Sequence, residues 1–245
     1  MASEHTPAPP IWLLPGPPTR TRALGRTEIV EAAVAIADEG GGAQALNMRA
    51  VATRLGSSTP MSLYRYVHSK DGLVDLMLDA AQSELDIPAS PTGDWRADLR
   101  GLALTTWRMT QRHPWFPGLV HSRPPAGPNA LRRLEFVLAV FDELGKPSSV
   151  AMNYARLLDS YVYGLAQQAA EERKMWQRNE FQTEDDPVEL LRSWLGDGAA
   201  DPEHPRVAAL TAAMLAGTDT GLPAGPDAQF ELGIDCMLDG IAARL

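Results

Sequence analysis

Apolar residues recur at three- and four-residue intervals through most of this chain, and no segment alternates apolar with polar residues over a length that predicts a strand. The pattern predicts an all-α protein. The first helix spans about Thr27 to Glu39, with Ile29, Val30, Ala33, Ile36 and Ala37 on one face, and Gly40-Gly41-Gly42 stops it. The stretch from Leu46 to Lys70 reads as two short helices joined by a tight turn. Asn47 is placed to cap the first, accepting from backbone N–H groups left without partners at a helix start. Met48, Val51, Ala52 and Leu55 follow at helical spacing, and Gly56 ends the run where a left-handed backbone is convenient. Thr59 and Pro60 restart a helix as its cap and first residue. Leu63 and Val67 face inward, which leaves Met61, Ser62, Tyr64, Arg65 and Tyr66 free. Hydroxyl, aromatic and basic side chains on the free face of a second short helix suit a DNA major groove. Ser69 then caps a longer helix with Leu73, Leu76, Met77 and Ala80 inward, and the loop Asp86–Asp94 marks a domain boundary near residue 86.

Beyond that boundary the same periodicity predicts helices at Trp95–His113, Phe116–Ser122, Asn129–Leu144, Ser148–Gln177, Pro187–Leu195, Pro205–Ala216 and Asp227–Arg244. Two of them carry long apolar stripes: Val150, Tyr154, Leu157, Leu158, Tyr161 and Leu165 in one, Phe230, Ile234, Met237, Leu238, Ile241 and Leu245 in the other. On pattern alone such stripes read as ordinary core. At the other end, residues 1–19 are rich in proline and read as a flexible arm, although Ile11-Trp12-Leu13-Leu14 is apolar enough to dock. Arg20, Arg22 and Arg26 follow it, as a solvated tail or as an arm that reaches the minor groove or phosphates.

Charge sharpens this division. The chain carries a formal −9, which argues against a protein that coats nucleic acid generally. Residues 1–70 nevertheless hold seven Arg and Lys against five Asp and Glu, a formal +2, leaving −11 for the remainder. A mildly basic head on an acidic body fits local DNA contact. The single Cys236 excludes an internal disulfide, fits a reducing cytoplasm, and on its apolar helix reads as a buried, inert thiol. No apolar run is long enough to cross a bilayer, and the N-terminus lacks a signal peptide's basic region, so the expected location is the cytoplasm, with no membrane partner. The five histidines show no metal-ligand spacing, and neither a phosphate loop nor a nucleophile elbow is present. No catalytic residue, cofactor or metal is therefore expected, and the protein is not read as an enzyme.

The segments TEIVEAAVAIADEGG, MRAVATRLG, MSLYRYV and SKDGLVDLM, in that order from Thr27 to about Leu85, resemble the DNA-binding domain of the TetR family of transcriptional regulators. The turn Ser57–Pro60 is one residue longer than the family's commonest form. More loosely, RHPWFPGLVHSRPPAGPNALRRLEFVLAVFDELG resembles the body of the tetracycline-repressor-like branch. The resemblance implies a three-helix helix-turn-helix DNA-binding head on a larger helical ligand-binding and dimerisation body. In those terms residues 1–19 are the arm, 20–86 the head and 87–245 the body. It implies that Tyr64 and Lys70 hold phosphates, with Arg49, Ser62, Arg65 and Tyr66 near base edges and Met61 on the same face. Asn47 and Thr59, at helix starts, present N–H groups that attract phosphate. It also implies a homodimer joined by two helices from each subunit, bound to a double-stranded, palindromic operator and released by an effector.

The aromatic group Trp107, Trp115, Phe116, Tyr154 and Trp176 is either helical core or the wall of an apolar effector pocket, with His113, Arg123 or Asp159 orienting the ligand. The expected ligand-binding set is Trp107, His113, Trp115, Phe116, Arg123 and Tyr154, and the expected effector is a small, mainly apolar molecule with a ring system. The function expected is that of a ligand-responsive transcriptional repressor. The competing expectation is a small-molecule-binding helical protein with a vestigial DNA-binding head.

Overall fold

The computed structural model describes residues 9–16, 25–39, 46–56, 59–183, 190, 193, 204–216 and 225–245. Among them the regular elements are a single 3-10 turn, Ile11–Leu13, and ten α-helices. They are α1 (Arg26–Glu39), α2 (Met48–Arg54), α3 (Met61–Val67), α4 (Lys70–Ser83) and α5 (Trp95–Arg112). Then come α6 (Phe116–Leu119), α7 (Pro128–Glu143), α8 (Ser148–Arg178), α9 (Pro205–Leu215) and α10 (Gly225–Ala242). The all-α expectation is met, and among the described residues helix ends agree with those predicted to within three residues. Arg20, Arg22, Gly40–Gly42, Ser57, Ser58 and most of the predicted helix Pro187–Leu195 lie outside the described residues.

The chain divides into one compact unit of residues 1–167 with 234–245 and a second of residues 168–233. In the second, the rings of Trp176 and Phe181 meet edge to face at 5.8 Å. The first contains every site residue discussed below and is organised on α4, against which the 3-10 turn, α1, α3, α5, α6 and α7 all pack. Periodicity predicted one inward face for α4. Instead Gly72 through Asp79 are all buried, because head and body both pack on this helix.

Local signals set the head. Asn47 Oδ1 accepts from Ala50 N at 2.8 Å, and Ser69 Oγ accepts from Gly72 N at 2.9 Å, the two caps the sequence predicts. Gly56, at φ +65°, closes α2. The start of α3 differs: Pro60 occupies the N-cap position and the helix begins at Met61. Between α3 and α4, His68 takes φ 60° and ψ −44°, and Ser69 N donates to Val67 O at 2.6 Å, a tight γ-turn. The first turn of α4 therefore passes so close to the end of α3 that a Cβ on Gly72 would collide with the Val67 carbonyl oxygen.

The predicted arm contains a docked piece. Ile11 is buried, its N–H donates to Asp75 Oδ2 at 3.1 Å, and the Pro15 carbonyl lies 3.2 Å from His68 Nε2. Arg26, which the sequence left as either a solvated tail or part of a DNA-reaching arm, opens α1 and donates from Nε to the Tyr66 carbonyl at 3.1 Å.

Candidate DNA-binding surface and ligand cavity

On α3 the positions i, i+3 and i+4 face inward, so Leu63, Tyr66 and Val67 are buried together. Tyr66, expected near base edges, is 8 % exposed and belongs to the packing of the head, a correction that strict helical spacing from Leu63 explains. The remaining expected contacts are all at least partly accessible. Asn47, Arg49, Thr59, Met61, Arg65 and Lys70 are exposed, and Ser62 and Tyr64 are half-buried. Met61, 75 % exposed, leads α3 outward. Ser62 Oγ donates to the Thr59 carbonyl at 2.8 Å, which fixes the entry to the helix. Arg54, on the far side of α2, is paired with Glu39 of α1.

One polar tie between head and body is built around the buried His113. His113, at the end of α5, is 5 % exposed and lies between Asp38 of α1 (Nδ1 to Oδ1, 2.9 Å) and Glu84 after α4 (Nε2 to Oε1, 3.0 Å). Ionised carboxylates only accept, so both bonds form together only when both ring nitrogens carry protons. Trp115 Nε1 also donates to Asp38 Oδ1 at 2.7 Å, and Arg112 Nη2 to Glu84 Oε2 at 2.6 Å. Partial burial pushes the Glu84 carboxyl up, but the hydrogen bonds and charges of His113 and Arg112 outweigh it and hold it below the usual range.

Two acids on α4 make the other ties. Asp79 accepts from the backbone N–H groups of Asn129 and Ala130 at 2.9 and 3.2 Å and from the Asn129 amide at 2.8 Å, so α4 caps the N-terminus of α7. Asp75 receives Arg123 through Nε at 2.6 Å and Nη2 at 3.0 Å. Neither acid was singled out in the sequence, although two carboxylates four residues apart within the otherwise apolar stretch Leu73–Ala81 were a visible sign of buried polar chemistry.

A cavity of about 710 Å³ opens beside these ties, lined from α4, the loop after α6, α7 and α8. Its polar wall includes His121, Arg123, Arg133, Arg156, Asp159 and Tyr163. Arg133 and Asp159 form a bidentate pair across α7 and α8, and burial, with Asp159 adding, pushes the Tyr163 phenol well above its usual range despite Arg133. Of the expected ligand-binding set only Arg123 lines this cavity. Trp107, Trp115 and Phe116 are core, with Phe116 touching the Trp115 and Tyr163 rings, while Tyr154 stacks on Phe141 at 5.6 Å. His113 belongs to the head–body junction. A stripe of aromatics could not distinguish a wall from a core, because both are apolar and helical in period.

The apolar stripes divide similarly. On α10, Phe230, Ile234, Leu238 and Ile241 are buried. On α8 Leu158 and Leu165 of the predicted stripe are buried, but the buried line also takes in Ala151, Ala155 and Val162, which the stripe did not include, and it leaves Leu157 50 % exposed. Cys236, read as a buried thiol, is exposed on the outer face of α10.

A trihelical head whose second short helix is outward-facing, anchored by α4 to a helical body with a cavity, defines a helix-turn-helix regulator of the ligand-binding type. Residues 87–245 match the family model described as Tetracyclin repressor-like, C-terminal domain. The HTH-type transcriptional repressor DrrR1 of Streptomyces coeruleorubidus is 38% identical over 231 residues, 91% of this chain and 78% of the relative. An HTH-type transcriptional regulator of Saccharopolyspora erythraea is 31% identical over 242 residues, 98% of this chain and 94% of that one. The crystal structure of ActR from Streptomyces coelicolor in complex with actinorhodin is similar in fold, with a TM-score of 0.72 at 24% identity, covering 91% of this chain and 97% of that one. The chain belongs to the TetR family of transcriptional regulators. Among the described residues no helix is long and apolar enough to cross a membrane.

Proposed function

We propose that this protein is a homodimeric repressor that binds a palindromic operator through its α2–α3 heads and leaves it when a small molecule occupies the cavity beside α4. One observation carries the reading: α4 supports α3 at one end and supplies Asp75 and Asp79 to the body at the other, next to the cavity. A ligand that fits one placement of α4 better than another shifts the head's position by that difference in affinity. Tyr64 and Lys70 hold phosphates, Arg49, Ser62 and Arg65 face base edges, and Asn47, Thr59 and Met61 frame them. Two heads related by a twofold axis suit a palindrome, and the exposed Leu157 beside half-buried Tyr154 and Tyr161 supports α8 as part of the joining face. Residues 1–19, 20–86 and 87–245 serve as arm, head and body. The names of the repressor DrrR1 and of the actinorhodin-bound ActR lend support to repression and to a ligand.

The test is a gel shift with the DNA flanking the protein's own gene. Lys70→Ala is expected to weaken binding to all sequences alike and reduce the salt slope by about one. Arg65→Ala is expected to cost roughly 1–3 kcal/mol and relax specificity at one position. Wild-type affinity and salt slope in both variants would remove these residues from the interface.

A further inference from the structure

The Asp75 carboxylate is shared. Its Oδ2 accepts both the Ile11 N–H of the N-terminal strap at 3.1 Å and Arg123 Nη2 at 3.0 Å, while Arg123 Nε holds Oδ1 at 2.6 Å. Asp75 is almost wholly buried, its side chain 4% exposed, and the strap is one of the elements that cover it. Arg123 reaches it from the cavity wall, so one guanidinium serves the cavity on one side and the head helix on the other. The same strap touches the support of α3: Ile11 Cδ1 lies against Gly72, and the Pro15 carbonyl lies 3.2 Å from His68 Nε2 in the turn between α3 and α4.

The wall also states a charge preference. Arg123, Arg133 and Arg156 line the cavity with one carboxylate, Asp159, and Arg133 carries a buried Nε without a hydrogen-bond acceptor. The rest of the lining includes Val120, Leu134, Val137 and Met152. An apolar ring system with one anionic group satisfies both halves of this surface, where a purely apolar molecule leaves the guanidinium groups desolvated without gain.

Resting on the reading of the cavity as the effector site, we propose that the effector is an aromatic anion, and that its anionic group draws Arg123 off Asp75 and thereby releases the Ile11–Leu13 strap from the head. Once Arg123 turns to the ligand, Asp75 is a buried carboxylate without its cation. That penalty exceeds the gain of one amide hydrogen bond, and lifting the strap lets water reach the carboxylate. The α3–α4 turn then loses the contacts of Ile11 and Pro15, which loosens the seat of the recognition helix.

Two dyes with the same rings test this: anilinonaphthalenesulfonate, which carries a sulfonate, and phenylnaphthylamine, which does not. Binding is read by fluorescence and the strap by hydrogen exchange at the Ile11 amide, and Met152→Trp, which fills the cavity, should weaken both dyes. The sulfonate is expected to bind about tenfold tighter than the amine, to lose that advantage in Arg123→Gln, and alone to accelerate Ile11 exchange. Asp75→Asn keeps an acceptor for Ile11 but takes the two short carboxylate bonds from the guanidinium, leaving it the 3.4 Å contact of Nη1 with the exposed Asp71, so it should bind the sulfonate severalfold tighter and uncouple Ile11 from it. This variant decides the matter if Arg123→Gln fails to fold. Equal binding of the two dyes, or a sulfonate affinity indifferent to Asp75→Asn with Ile11 protected throughout, overturns the proposal and leaves the effector site standing. If neither dye enters the wild-type cavity, the proposal and the effector-site reading fall together.

Discussion

A methyl group at Gly72 would fall well inside van der Waals contact of the Val67 carbonyl oxygen, and the backbone there cannot give way as a side-chain tip could. Gly72→Ala is therefore expected to lower stability by roughly 1–3 kcal/mol, as overpacking does, and to weaken operator binding further by tilting α3. Thermal melting and a gel shift check the two effects, and a variant equal to wild type in both would show that the close approach is not needed. Trp107, now placed in the core, gives a second residue-scale expectation. Trp107→Ala should lose about 3–5 kcal/mol in a denaturant melt. At this scale the sequence was legible where the signal was local: Asn47, Ser69 and Gly56 each act within three residues of themselves. Tyr66 was misread because a tyrosine beside an arginine suggests a contact surface, whereas its distance of three from Leu63 already placed it inward.

Among the elements, α4 packs against both α3 and the body helices, and the Glu84 carboxyl at its C-terminal end titrates. The Glu84 carboxyl has a folded pKa below its unfolded value of about 4.3. Its contribution to stability is therefore fully present above that value and is lost as pH falls through the folded one. The melting temperature of the wild type should drop more steeply below about pH 4 than that of Glu84→Gln, in which residue 84 no longer titrates. Parallel curves would mean that the His113–Glu84–Arg112 group does not report on the head–body junction. The helices themselves were legible from their period. What α4 packs against was not, since a period shows which face is apolar and says nothing of a second layer that covers the opposite face.

For the whole molecule, the distinction between a core stripe and a joining face becomes a matter of exposure. Leu157→Asp places a charge on an exposed position of α8 and is expected to give folded monomers that bind a palindrome far more weakly, as light scattering and a gel shift would show. Leu238→Asp buries a charge inside the single chain and should unfold it instead. Monomeric wild-type protein at micromolar concentration would remove the joining face. The reactivity of Cys236, the single thiol, offers an independent reading: if α10 joins the subunits, labelling should slow as concentration rises.

Alone, the sequence determined the helical class, the Asn47 and Ser69 caps, the Gly56 break and the exposure of Met61 and Arg65 on α3, because each depends on a few neighbouring residues and a period of 3.6. Only the tertiary structure decided which aromatics are core, that Asp75 and Asp79 are buried and answered by Arg123 and the start of α7, and that the Ile11 N–H also donates to Asp75. Those partners stand 48, 50 and 64 residues apart, and a hydrogen bond has no sequence period. Its donor and acceptor become a pair only when packing brings distant segments within about 3 Å.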